Sequence, residues 1–153
     1  MILIEGLLNY SVPWQLPDIY LFTGNPVVKR DGSIVMGRGA AKQVRDSIPG
    51  VDLLFGMGII ENPTANLLWT STSGVPETRL GWFKVKTHWK DPAEMSIIEE
   101  SVEQLAAVAT ARPHFTFHMN YPGVGNGRLG VQDVQPLLEK LPNNVLIYKS
   151  EEA

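Results

Sequence analysis

At 153 residues and 16.9 kDa the chain is long enough for one domain with an ordinary core, and 44% apolar residues, 19% charged residues and a mean hydropathy of −0.03 exclude a disordered chain. No apolar run approaches the length of a membrane-spanning helix, and the absence of cysteine excludes a disulfide scaffold, thiolate zinc, iron–sulfur clusters and a cysteine nucleophile together. A net charge of −3 with a pI near 5.6 speaks against a generic duplex-coating protein, while leaving room for a small local basic patch.

Met1 to Leu8 carries Glu5 and no basic leader, so no signal peptide is expected and the expected address is cytoplasmic. Glycines and prolines are spread along the chain, which predicts a single domain over residues 1–149 and a frayed tail at 150–153. The first strand is predicted over Ile2 to Ile4, followed by a polar, proline-containing loop. Ile19 to Thr23 reads as a buried strand ended by Gly24-Asn25-Pro26. Val27-Val28 and Ile34-Val35 flank Asp31-Gly32, a hairpin signal. Ala40 to Ser47 is a predicted helix stopped by Pro49-Gly50. Gly58 to Ile60, Leu67 to Thr70 and Leu80 to Val85 are predicted as short strands. Asp91-Pro92-Ala93-Glu94 has the form of an N-terminal cap. Ile98, Val102, Leu105, Ala106 and Ala109 then follow at helical spacing up to Pro113. Phe115 to Met119 is a strand, Val131 to Leu141 a helix disturbed at Pro136, and Val145 to Tyr148 the closing strand. Alternating strands and helices predict an α/β fold, with a mixed or parallel sheet covered on both faces.

Two glycine loops lie between a strand and a helix: Met36-Gly37-Arg38-Gly39-Ala40-Ala41, and Pro122 through Gly130. Without Cβ atoms, backbone N–H groups can approach a phosphate closely, and a helix N-terminus adds partial positive charge. Tight turns account for one such loop; two in a small α/β domain point to a diphosphate ligand at the carboxyl ends of the strands. Neither is a P-loop, since no Gly-Lys-Ser/Thr follows. Pro142-Asn143-Asn144 stands where a dinucleotide fold has its ribose-binding acid, so hydride transfer is not expected.

Asn25-Pro26, Val35 to Gln43, and Pro122-Gly-Val-Gly-Asn-Gly-Arg-Leu-Gly together resemble the ligand-binding segments of macrodomains, over about 130 residues in order and spacing. Val85-Lys86-Thr87-His88-Trp89-Lys90 is similar to the T-K-x-x-W segment of the branch holding DNA ADP-ribosyl glycohydrolases and terminal ADP-ribose glycohydrolases. The resemblance implies a three-layer α/β/α fold with a mixed central sheet that binds ADP-ribose. It implies that Asn25 hydrogen-bonds the distal ribose and that Gly37, Arg38, Gly39 and Ala40 line that ribose and its phosphate. It further implies that Pro122, Gly123, Val124, Gly125, Asn126, Gly127 and Arg128 wrap the diphosphate, and that Lys86 is the catalytic lysine. A lysine of depressed pKa is a competent nucleophile toward a ring-opened sugar aldehyde. No cofactor is implied. The implied partners are ADP-ribose or an ADP-ribosylated target, nucleic acid included, with no membrane; oligomeric state is left open.

The pattern departs from the family in three places. Gly6 is followed by Leu7 instead of an adenine-binding aspartate; the hairpin lengthens the Asn25–Gly37 interval as a lid or partner surface; and Gly125 to Arg128 carries no carboxylate. Three activities follow: hydrolysis of ADP-ribosyl linkages, capture of ADP-ribose or a cyclic relative without turnover, and a 1″-phosphatase assisted by His118. Simpler roles stand beside these. Asn25-Pro26 is a common turn pair, Arg38 a solvated loop residue, and Lys84-Val85-Lys86 the wet face of an edge strand. His88 and Trp89 read as packing. His114 and His118 share a strand face but lie about 13 Å apart, too far for joint metal ligation, so no metal is expected. Tyr121 either stacks on a ligand ring or fills the core. Trp14, Trp69, Trp82 and Trp89 form no base-stacking pattern.

Overall fold

A computed structural model describes residues 1–10, 17–71 and 79–150. Trp14 and the last three residues of the expected tail lie outside them. The chain runs β1 (Ile2–Glu5), β2 (Asp18–Gly24), α1 (Gly39–Ser47), α2 (Val51–Glu61), β3 (Leu67–Ser71), β4 (Arg79–Lys84), α3 (Met95–Ala111), β5 (Thr116–Asn120), a 3-10 turn (Gly125–Gly127), α4 (Val131–Leu138) and β6 (Val145–Lys149). The strands form one sheet in the order β1-β6-β5-β2-β4-β3, parallel except for β3, which pairs antiparallel with β4. The expected mixed sheet is therefore present.

Alternation along the strands divides the core in two. Ile19, Leu21, Phe117 and Met119 pack with Ile98, Val102 and Leu105 of α3 and Val134 and Leu138 of α4. Phe22, Leu80 and Trp82 pack with Val44 of α1 and Val51, Phe55 and Ile59 of α2. Both faces are covered, which is why the central strands read as nearly continuous apolar runs. Asn144 ties the sheet to α3: its Nδ2 donates to the carbonyls of Ala109, Arg112 and Phe115 at 3.0, 3.2 and 3.1 Å.

Four expectations are corrected. Gly58 to Ile60 belongs to α2 and is not a strand. The helix is apolar on every side, so its sequence carries no helical period, and two glycines lower its propensity. Gly56 is there for contact: a Cβ on it would meet the Gly32 carbonyl oxygen at 1.8 Å.

The expected hairpin forms, with an antiparallel bridge at Val28 and Ile34 and Lys29 N donating to Ser33 O and Val35 N to Val27 O; the lid reading is what changes. Gly32 N donates to Lys29 O at 2.9 Å, and Gly32, at φ +87°, is the left-handed residue. Asp31 keeps a negative φ, so the turn is not the two-residue primed type; its carboxylate instead accepts from Ser33 N and Ser33 Oγ. With Ile34 N donating to Asp52 O at 3.1 Å, the hairpin is fastened onto α2, not poised as a lid.

The Asp91 segment does not cap α3. The helix begins at Met95, because Ala93 N donates to Gly127 O and Glu94 N to Val85 O, both at 2.9 Å. Tertiary partners have taken the donors a side-chain cap would satisfy. Finally, α4 ends at Leu138, three residues early, with Pro136 inside it.

Candidate functional site

The carboxyl ends of β6, β5, β2 and β4 open into one cleft of about 720 Å³. Three inter-strand steps of about 4.8 Å make it roughly 14 Å long along the sheet. Its β6 end is apolar and aromatic, lined by Leu7, Leu8, Tyr10 and Tyr148. Its β4 end is cationic.

Both glycine loops line this cleft. A Cβ on Gly39 would come within 3.0 Å of Asn126 Nδ2, so the loops touch. The first opens α1, with Arg38 at the N-cap position and Gly39 at φ +57°. The second is shaped by Gly123 and Gly125 at φ +77° and +71° and by Arg128, the one described non-glycine residue at positive φ, +65°. It is anchored from behind: Leu129 N donates to Gly123 O, Ala93 N to Gly127 O, and a Cβ on Gly123 would strike Ile98 Cδ1 at 2.5 Å. This loop presents the backbone of its 3-10 turn to the cleft and not the start of α4, since Gly130 is absent from the lining.

Lys86 lies two residues beyond β4, and β4 is an interior strand between β2 and β3. The wet edge-strand role is thereby excluded. Val85 N donates to Gly24 O at 3.1 Å, extending the ladder one step before the chain turns Lys86 into the cleft. Burial lowers the Lys86 pKa, and the Arg128 and Arg38 guanidiniums lower it further, against a raising contribution from Asp91. Lys29, Arg38, Lys86, Lys90 and Arg128 line the cleft against one carboxylate, Asp91, among the described lining residues. A chain of net charge −3 thus concentrates positive charge here.

Asn25 is buried at the end of β2. Its Oδ1 accepts from Val27 N at 3.0 Å and its Nδ2 donates to Val35 O at 3.3 Å, so turn chemistry fixes a carboxamide that keeps one N–H and one lone pair for the cleft. Arg38, Ala40, Val124, Asn126 and Gly127 also line the cleft; Pro122 does not. Tyr121 touches it but is a core residue: its hydroxyl donates to Gln135 Oε1 at 2.7 Å, and burial with Glu139 pushes its pKa up to about 12.

His118 is outside the lining, so it offers no acid or base to a phosphatase reaction there. Its Nε2 is 2.7 Å from Asp18 Oδ1 and its Nδ1 is 2.9 Å from the Tyr148 hydroxyl. His114 precedes β5 and does not share its face. Among the described residues, no group of three or more His, Asp or Glu side chains is arranged to hold a metal ion.

Several lining residues were not anticipated. Asn120 ends β5, accepting from Thr23 N at 3.2 Å and donating to Thr23 Oγ1 at 2.9 Å; a polar residue closing an apolar strand was the available signal. The Tyr10 hydroxyl lies 2.8 Å from Asn120 Oδ1 and donates to Leu21 O at 2.6 Å. Trp89, 46% exposed, lines the cleft and is not core packing. Asp91 and Tyr148 also line the cleft, without any local sequence pattern that marks them as site residues.

No family model matches the sequence, and no curated protein matches it. Solved structures do. Thermosipho africanus DarTG in complex with ADP-ribose is 22% identical with a TM-score of 0.73, over 90% of this chain and 39% of that one, so this chain spans well under half its length. The macrodomain of Mycobacterium tuberculosis DarG is 22% identical with a TM-score of 0.71, over 96% of this chain and 97% of that one. The macrodomain of Thermus aquaticus DarG is 21% identical with a TM-score of 0.72, over 98% and 97%.

Proposed function

We propose that this chain, which has the macrodomain fold, binds ADP-ribose in the cleft and hydrolyses the bond joining the distal ribose to a modified target, with Lys86 as the reacting amine. The observation that carries this reading is the meeting of two glycine loops in one cationic cleft that ends at Lys86. A diphosphate suits the middle. The start of α1 and the Gly125–Gly127 turn offer N–H donors, and Arg38 and Arg128 supply charge. A flat base suits the apolar β6 end, which leaves the distal ribose at Asn25 and Lys86. The spare N–H and lone pair of Asn25 fit ribose hydroxyls. The lowered Lys86 pKa enlarges the neutral amine fraction near neutrality. The neutral amine attacks C1″ as the C1″–target bond breaks, and the target leaves with the bonding pair and takes up the proton released from the amine. Water then hydrolyses the ribosyl–lysine adduct to ADP-ribose and free Lys86. Fixing both partners contributes several kcal/mol toward the barrier.

Calorimetry with ADP-ribose, AMP and ADP-ribose 1″-phosphate tests the ligand class, and no binding to any of them refutes the reading. Release of ADP-ribose from ADP-ribosylated DNA or ADP-ribosylated protein, present in the wild type and lost in Lys86→Ala, tests the chemistry. A second reading, capture without turnover, draws on the missing carboxylate in Gly125 to Arg128. Tight binding with no release from either substrate selects it.

A further inference from the structure

Helix α2 has the composition of a buried helix and yet keeps one face open. Leu53, Met57 and Ile60 are 46%, 59% and 62% exposed, three of the seven large apolar side chains exposed among the described residues. A surface helix ordinarily turns charged and polar residues outward, and a contiguous apolar face in their place marks an interaction surface. At about 100° per residue, Met57 points straight out, with Leu53 and Ile60 to one side of it and Leu54 and Glu61 to the other. The Leu53 side is bordered by the clamped hairpin: a Cβ on Gly32 would lie 3.9 Å from Leu53 Cδ2, and one on Gly56 would strike Gly32 O. The opposite side is bordered by β3, where a Cβ on Gly58 would lie 3.4 Å from Leu68 Cδ1.

Charge selects the occupant. Arg30 in the hairpin and Glu61 in the last turn of α2 are both exposed, and neither has an ion-pair partner among the described residues. Asp31, next to Arg30, has its carboxylate turned onto Ser33 N and Ser33 Oγ. The free cation and the free anion thus flank the apolar stripe at opposite ends and on opposite sides, an arrangement that complements itself under a two-fold rotation. We propose that this face docks a second copy of the chain, α2 against α2 and antiparallel, about a two-fold axis at Met57. Met57 then meets its own counterpart, Ile60 meets Leu54 of the second copy, and Leu53 meets the aliphatic stem of its Glu61. That carboxylate lies beside Arg30 of the facing hairpin, and the rotation repeats each contact. The stripe runs about 10 Å from Leu53 to Ile60. Three half-exposed side chains do not fill the roughly 800 Å² that each partner gives to a standard interface, so the hairpin and the exposed residues 62–64 share the contact. The dimer is accordingly weak, with a dissociation constant on the order of 10–100 μM. This inference is independent of what the cleft binds.

Analytical ultracentrifugation of the whole chain from about 5 to about 500 μM tests it, and a reversible shift from monomer to dimer is expected across that range. Met57→Glu sets two carboxylates face to face on the axis and should raise the dissociation constant at least about tenfold. Arg30→Glu and Glu61→Arg should each raise it about 3–10-fold. Combining them restores opposite charges across the axis, and the double variant should return to within about twofold of the wild type. All three side chains are exposed, so thermal unfolding should be nearly unchanged in every variant, which keeps folding apart from association. A monomer at every concentration overturns the proposal and leaves the face to a different protein. A dimer that Met57→Glu does not weaken lies on another surface and overturns it as well. So does a double variant no tighter than the single ones, because the antiparallel pairing requires the rescue.

Discussion

Helix α2 holds two interior glycines that should respond to alanine with opposite signs. Helix propensity alone favours alanine over glycine by about 1 kcal/mol at either place. At Gly58 the new Cβ would lie 3.4 Å from Leu68 Cδ1, the end of a flexible side chain, so most of that gain should survive. At Gly56 it would lie 1.8 Å from Gly32 O, 3.0 Å from Gly32 C and 3.4 Å from Ser33 Cα, all backbone of the clamped hairpin. Relieving that overlap means lifting the hairpin from α2 and stretching the Ile34 N to Asp52 O bond. Overpacking of this kind costs about 1–3 kcal/mol, and more when backbone must move, so a net loss of about 2–4 kcal/mol is expected. For a chain of this size, at about 2–4 °C per kcal/mol, Gly56→Ala should lower Tm by roughly 4–16 °C and Gly58→Ala should raise it by about 2–4 °C. Thermal and urea unfolding of the two variants measure this directly. Stabilisation by Gly56→Ala would refute the close approach of hairpin and helix.

Lys86 carries a proton-linked prediction. Its lowered pKa means the unfolded chain binds more protons between that value and the ordinary 10.5, so the ligand-free protein gains stability as pH rises through that window, modestly because Lys86 is only partly buried. A bound diphosphate offsets part of the Arg128 and Arg38 charge felt by Lys86, while desolvation continues to lower its pKa. ADP-ribose binding above neutral pH should therefore take up a fraction of a proton, an uptake absent from Lys86→Met. Calorimetry in two buffers of different ionisation enthalpy reads it, and proton release on binding would contradict the assignment. Arg128 should separate stability from affinity. Its left-handed backbone costs about 1–2 kcal/mol, partly offset by the looser unfolded chain that glycine brings, so Arg128→Gly should leave stability unchanged or raise it by up to about 1 kcal/mol. Losing a charged donor should weaken ADP-ribose binding about 10–100-fold, and unchanged affinity would place the diphosphate elsewhere.

The local chain was legible wherever one element's own pattern decides its state. Ile19 to Thr23 had to be a buried strand, because its side chains alternate onto two covered faces and all but Thr23 are apolar or aromatic. The spacing of Ile98, Val102, Leu105 and Ala109 marked α3 for the same reason. The glycine loops were legible too, since missing Cβ atoms and left-handed backbone are written in composition. Helix α2 was not: its faces meet sheet, hairpin and solvent, and a helix with apolar residues on every side loses the period that would announce it. The start of α3 was misread because the donors of Ala93 and Glu94 are taken by Gly127 and Val85, partners 34 and 9 residues away in sequence.

The sequence by itself determined two glycine loops, a turn-fixed asparagine and a lysine after a strand, because each depends on residue type and near neighbours. Only the tertiary structure decided that these meet in one cleft, that β4 is interior so that Lys86 turns inward among Arg38 and Arg128, and that Asp18, His118 and Tyr148 form a chain across three strands. Strand order brings Asp18 within reach of a histidine 100 residues away, and the charge felt by one amine is set by loops that reach it through space, which no local pattern encodes.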